Sequence, residues 1–282
     1  MDTNWPDPEQ ASTHLGTLEY RDIGDGPVLV LLHLILAAGD HWDQVVDRLA
    51  DRYRCIMPDL PMGGHRVPAR AGADLSAPGM ARAVAELLDQ LDVDDVTLIG
   101  NDTGGAIAQI VAADHNNRVG RLVLTDCDMY DQFPPGVFAY FKLIGAIPGG
   151  VWLLAHTLRL RAIWRLPIAF GWLTHRVDGA KVERWSSALR ANPEVRRDAR
   201  SVIKAIDTRH TNDAAAKLRT AGVPLLLAWG ADDRAFSRAN AERMATEVPG
   251  ARLEIIEGSK AFVCWDQPDR LAELIDGFVA GP

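Results

Sequence analysis

Six short runs of leucine and β-branched residues, each closed by turn residues, constrain this chain most: 27–33, 53–58, 95–100, 120–126, 223–229 and 251–256. Unbroken apolar runs of this length suit strands buried on both faces of a parallel sheet. Helical patterns lie between them. In residues 79–91, Met80, Val84, Leu87, Leu88 and Leu91 recur at helical spacing. Strands alternating with helices predict an α/β fold with a doubly wound, mostly parallel sheet. The rhythm stops at about Tyr130 and resumes only after His210; the intervening segment holds helical patterns, prolines and aromatics but no strand-like run. An all-helical insertion between two strands reads as a lid, so the expected organisation is a core of residues 1–129 and 211–282 with a helical cap of residues 130–210.

Composition removes several classes of function. With 48% hydrophobic and 24% charged residues in 282, the chain is not of a disordered type. Its net charge of −8 disfavours nucleic acid, which needs a basic face. Cys55, Cys127 and Cys264 are too scattered for a disulfide framework or a zinc site, and are read as free thiols in a reducing compartment. The start, Met1-Asp2-Thr3-Asn4, lacks the pattern of a signal peptide. The longest apolar run, 28–38, is interrupted by His33 and too short to cross a bilayer. A cytoplasmic protein with no membrane or nucleic-acid partner is expected, and a homodimer is left open.

The chemistry centres on Gly100-Asn101-Asp102-Thr103-Gly104-Gly105, where a strand pattern gives way to a helix pattern. Its glycine spacing is that of a nucleophile elbow, a strained turn that exposes one side chain above a sheet. A plainer alternative is that Asp102 only caps the following helix. With this elbow, the strand order and the cap position, the chain resembles the α/β-hydrolase superfamily over nearly its whole length, the cap following the sixth strand. Aspartate at the elbow resembles the branch of haloalkane dehalogenases and epoxide hydrolases, in which it attacks carbon and forms an ester.

The resemblance implies further residues. Trp229-Gly230-Ala231-Asp232-Asp233 matches the motif whose aspartate orients the catalytic histidine, which puts that role on Asp233, with Asp126 or Asp128 as the alternative acid. The final motif, Gly258-Ser259-Lys260-Ala261-Phe262, puts Ala261 in the histidine slot, and no histidine follows His210. Without a base to activate water, an ester at Asp102 would stall. The family's His-Gly oxyanion loop reads His33-Leu34-Ile35-Leu36, with Leu34 at the glycine position. Leucine takes a left-handed conformation only at a cost, and the backbone N–H groups of Ile35 and Thr103 remain the expected oxyanion donors. His33 and His65 are alternative bases, although in the family a histidine at the position of His33 usually braces loops. His41 is expected at the surface or facing the cap.

The expected substrate pocket is lined by Leu34, Trp42, Asn101, Ala261, Trp152 and Trp172. Four of the eight tryptophans fall in the cap, which suits a hydrophobic small molecule. No cofactor or metal is expected. The cap carries 13 basic and 6 acidic residues, a charge of +7 against −15 for the remainder. Opposite charges favour docking of the two units and attraction of an anionic substrate. Alternatively, Arg159, Arg161, Arg196 and Arg197 lie on solvated helix faces. Two enzyme readings and one binding reading follow: non-hydrolytic acid/base chemistry at Asp102 (elimination, isomerisation, cyclisation or epoxide opening), an aspartate-nucleophile hydrolase whose base is elsewhere or lost, and an inactive fold kept as a binding module.

Overall fold

The computed structural model describes residues 5–281, so Met1-Asp2-Thr3-Asn4 of the leader argument lie outside the described residues. The six predicted runs form β3 (Val28–Leu32), β4 (Arg54–Pro58), β5 (Val96–Asp102), β6 (Val119–Cys127), β7 (Leu225–Gly230) and β8 (Arg252–Ile256). Two strands unread in the sequence precede them, β1 (Glu9–Thr13) and β2 (Gly16–Ile23). They form an antiparallel hairpin at one edge, only partly buried, with Leu18 and Tyr20 inward. Such a strand shows period-two alternation instead of a continuous apolar run, which is why the same reading missed it. The sheet order is β1-β2-β4-β3-β5-β6-β7-β8, parallel from β4 onward. β5 lies between β3 and β6 and is buried along its whole length.

Helices cover the sheet, and the carboxyl ends of β3, β5 and β6 meet beneath the cap. The predicted helix 79–91 spans Ala77–Leu91, with the Ser76 hydroxyl accepting from the Gly79 N–H at its start. The closing helix runs over Pro268–Ala280. Among the described residues, no helix is long and apolar enough to cross a membrane.

Between β6 and β7 the chain is helical, as the missing strand rhythm indicates. Helices span Tyr140–Ala146, Gly150–Thr157, Gly179–Ala191 and Pro193–Lys204. The next helix, Thr208–Ala221, packs on the Thr103–Asp114 helix of the core, so the boundary drawn at His210 falls inside an element that belongs with the sheet. Two clamps hold the cap down. At one, Asp40 accepts from Trp185 Nε1 at 2.6 Å and pairs with Arg184, while the buried Lys181 pairs with Asp43. At the other, Asp198 of the cap accepts from the Ala69 N–H at 2.8 Å, and Arg197 donates to the Ala69 carbonyl at 2.6 Å. Arg196 also turns inward, to the carbonyls of Leu189 and Arg190, whereas Arg159 and Arg161 are exposed.

The elbow depends on two glycines. A Cβ on Gly104 would sit 2.3 Å from the Leu32 carbonyl oxygen, and one on Gly100 would sit 2.5 Å from that of Gly104. Both neighbours are backbone and cannot swing aside. Gly104→Ala is therefore expected to destabilise the fold by about 2–3 kcal/mol, read as a lower urea midpoint at unchanged slope. An unchanged midpoint would show that the turn has slack.

Candidate active site

Asp102 ends β5 and caps the Thr103–Asp114 helix in a conformation that L-residues rarely adopt, φ 55° and ψ −128°. That strain turns its carboxylate over the end of the sheet, and one oxygen accepts from the Thr103 N–H at 2.6 Å and the Thr103 hydroxyl at 2.9 Å. The Ile35 N–H also faces this carboxylate and favours its charged form. The two expected oxyanion donors, Ile35 and Thr103, thus converge on the Asp102 side chain. Capping and an elbow role are compatible here. Burial raises the pKa of Asp102, and the Thr103 N–H and hydroxyl, with the Ile35 N–H, oppose that rise.

A second carboxyl shares the site. Asp128, just past β6, lies 3.2 Å from the Thr103 hydroxyl through one oxygen; its other oxygen, Oδ1, is buried without a hydrogen-bond partner. Burial and the Asp102 charge push its pKa well above the ordinary carboxylate range. Asp102, Thr103 and Asp128 line one cavity of about 480 Å³, and most of the remaining wall is apolar: Leu34, Ile35, Phe138, Phe141, Leu173 and their neighbours. The ionisable side chains on this wall are Asp102, Asp128 and Tyr140. The Tyr140 hydroxyl donates to the Ile168 carbonyl at 2.6 Å, and burial pushes its pKa up to about 12. In the sequence Asp128 stood only as an alternative acid; its pairing with Asp102 requires the crossover from β5 to β6, which no local pattern reports.

The other sequence candidates sit elsewhere. His33 Nδ1–H donates to the Leu34 carbonyl at 2.8 Å and Nε2 accepts from the Leu60 N–H at 2.9 Å, so the ring braces two loops. Burial lowers its pKa to about 4. His65 accepts from the Gly63 N–H and donates to Asp198 at 3.3 Å, tying a core loop to the cap. His41 is fully buried and not at the surface; Trp42, Phe262 and Trp265 of the core enclose it, and on the cap side it faces Trp185. No histidine lines the cavity.

Asp233 accepts from the N–H groups of Ala235 at 2.7 Å and Phe236 at 3.2 Å, and hydrogen-bonds Asp126. Asp126, fully buried, also accepts from the Gly230 N–H at 3.0 Å. Burial raises both, Asp233 to about 6, and neither lines the cavity. Ala261 is fully buried, and the loop that carries it is fixed by the Phe262 N–H donating to the Leu173 carbonyl at 2.7 Å.

Of the expected pocket residues, Leu34 lines the cavity and Trp42, Asn101, Ala261, Trp152 and Trp172 do not. Trp42 and Asn101 lie in the core; Trp152 is 47% exposed and stacks on His156. Asn101 is a hub instead, its amide nitrogen 2.9–3.1 Å from the carbonyls of Thr125, Asp126 and Ala261 and its oxygen accepting from His41 Nε2 at 3.0 Å. The left-handed residue of the oxyanion loop is Leu36, φ 63°, not Leu34. The loop turns two residues later, where the Leu36 N–H reaches the Met62 carbonyl at 3.0 Å. The three cysteines are free and buried, and burial raises the thiols of Cys127 and Cys264, which suits packing.

Comparison with known proteins places this geometry in a family. Haloalkane dehalogenase 2 of Mycobacterium tuberculosis is 27% identical over 268 residues, covering 92% of this chain and 90% of its own. Non-heme chloroperoxidase CPO-A1 of Kitasatospora aureofaciens is 26% identical over 245 residues, covering 85% and 86%. Among solved structures, the epoxide hydrolase CorEH superposes with a TM-score of 0.80 at 20% identity, covering 97% of this chain and 98% of its own. The sequence model of the alpha/beta hydrolase fold matches residues 27–268, and the chain belongs to that family.

Proposed function

We propose that the protein catalyses a non-hydrolytic acid/base reaction on a hydrophobic small molecule, with Asp102 as base and Asp128 as acid. The observation that carries this reading is the pair of carboxyls around the Thr103 hydroxyl in a wall that holds no histidine. A threonine hydroxyl has one hydrogen, and it lies within reach of both Asp102 and Asp128. When it donates to Asp102, Asp128 needs a proton of its own to hydrogen-bond the same oxygen. Asp102 accepts from both the Thr103 N–H and the hydroxyl, and Asp128 meets only the hydroxyl, so the negative charge belongs on Asp102 and the proton on Asp128.

In this state Asp102 takes a proton from carbon or a hydroxyl of the substrate while Asp128 gives one to a developing alkoxide or enolate oxygen. Proton count is conserved and no water enters. Thr103 then resets the pair, accepting the proton from Asp102 and passing its own to Asp128. Elimination, isomerisation, cyclisation and epoxide opening all fit this exchange. With a substrate identified, Asp102→Asn and Asp128→Asn each lower kcat by at least about a hundredfold.

The hydrolytic reading draws support from the dehalogenase relative and from the donors that orient Asp102. It needs a base to activate water, and His33, His41 and His65 are each engaged outside the cavity. Intact-protein mass spectrometry after incubation with apolar epoxides and alkyl halides separates the two. No ester on the Asp102 peptide is expected, and Ala261→His leaves that result unchanged. An adduct in the parent that Ala261→His releases would establish the nucleophile reading.

Proton sharing also sets a stability signature. A carboxyl whose folded pKa is raised stabilises the fold fully below the unfolded value, near 4, and loses that contribution as pH rises toward the folded value. Asp128→Asn removes the penalty. Its stability relative to the parent is therefore expected to rise with pH once pH exceeds about 4 in urea unfolding; a pH-independent difference would contradict the shared proton.

A further inference from the structure

The cap holds a segment with an unusual charge and surface pattern. Residues 132–177 contain five lysines and arginines, Lys142, Arg159, Arg161, Arg165 and Arg176, and no aspartate or glutamate, in a chain of net charge −8. Among the described residues none of these five cations makes a salt bridge. Among the described residues, all seven exposed large hydrophobic side chains fall in the same segment, between Leu143 and Ile168. Five of them, Leu143, Ile147, Leu153, Leu166 and Ile168, also line the cavity that holds Asp102, although each is more than two-fifths exposed. They therefore meet at one place, the mouth of the cavity. The Tyr140 hydroxyl ties two parts of this rim together through the Ile168 carbonyl.

We propose that this face of the cap docks on an anionic lipid surface, the apolar side chains entering the headgroup–acyl boundary and the cations meeting lipid phosphates. Exposed apolar area flanked by unpaired cations is the arrangement that binds such a surface. The expectation of no membrane partner rested on the lack of an apolar run long enough to span, and surface contact needs none. A second copy fits less well. Cap against cap would set like charges of this segment against each other, and no exposed large hydrophobic outside the cap is present among the described residues to receive the patch. A docked cap would open the cavity toward the bilayer, so an apolar molecule dissolved there enters without crossing water. Docking does not depend on the chemistry assigned to Asp102, and its test involves no turnover.

The test is sedimentation of the full chain with vesicles of phosphatidylcholine alone and of phosphatidylcholine with about 30 mol% phosphatidylglycerol. Binding at least tenfold tighter to the anionic vesicles, weakened by raised salt, is expected. The triple variant Arg159→Glu, Leu160→Glu, Arg165→Glu touches no cavity-lining residue. It should lose at least tenfold in that binding, since each cation near such a surface contributes roughly fivefold, and should keep the parent's urea midpoint. Absent binding, or equal binding to neutral and anionic vesicles, overturns the proposal, and both arms use the parent protein even if the variant folds poorly. A parent dimer in sedimentation velocity, dissolved by the variant and blind to vesicles, would give the face to a second copy instead.

Discussion

Two carboxyls share one hydroxyl in an apolar cavity, where a second negative charge is costly, and the proposed chemistry rests on that constraint. Coulomb repulsion between like charges grows as water is excluded, so a buried pair keeps a proton that either member would lose alone. The fold supplies the means of holding them together. β5 and β6 are adjacent and parallel, and their ends carry Asp102 and Asp128 to either side of Thr103. The strain at Asp102 is offset by the packing of a turn so close that Gly100 and Gly104 have no room for a Cβ.

The region where the family resemblance predicts a histidine is occupied by a structural network. Asn101 ties the elbow to the carbonyls of Thr125, Asp126 and Ala261, and His41 holds the Asn101 amide from behind. Asp126 and Asp233 hydrogen-bond to each other and to backbone N–H groups at the end of β7 and in the loop after it. Their raised pKa values come first from burial, and this second acid pair lies off the cavity. The cap completes the enclosure from above, its Asp198 and Lys181 buried against core loops.

Much of the fold was legible because parallel strands buried on both faces leave continuous apolar runs. The edge hairpin β1–β2 escaped because half of its side chains face solvent. The elbow was legible for a local reason, two glycines at fixed spacing around Asp102. Leu34, Ile35 and Thr103 also reach the site, since each is close in sequence to a strand end there. The errors are tertiary. Trp42, Asn101 and Ala261 flank the site in sequence, yet their side chains pack behind it. Trp152 and Trp172 belong to the cap but do not line the cavity. The partnership of Asp128 with Asp102 depends on strand order, to which periodicity is blind.

The central claim is that one proton resides on the Asp102–Asp128 pair at neutral pH. Carbon-13 NMR of aspartate carboxyl carbons, in the parent and in Asp128→Asn, tests it directly. The account predicts a parent resonance with the shift of a protonated carboxyl at about pH 7 that is missing from Asp128→Asn, while Asp102 titrates at lower pH in the variant. Two ionised carboxyls at this site in the parent at that pH would contradict it.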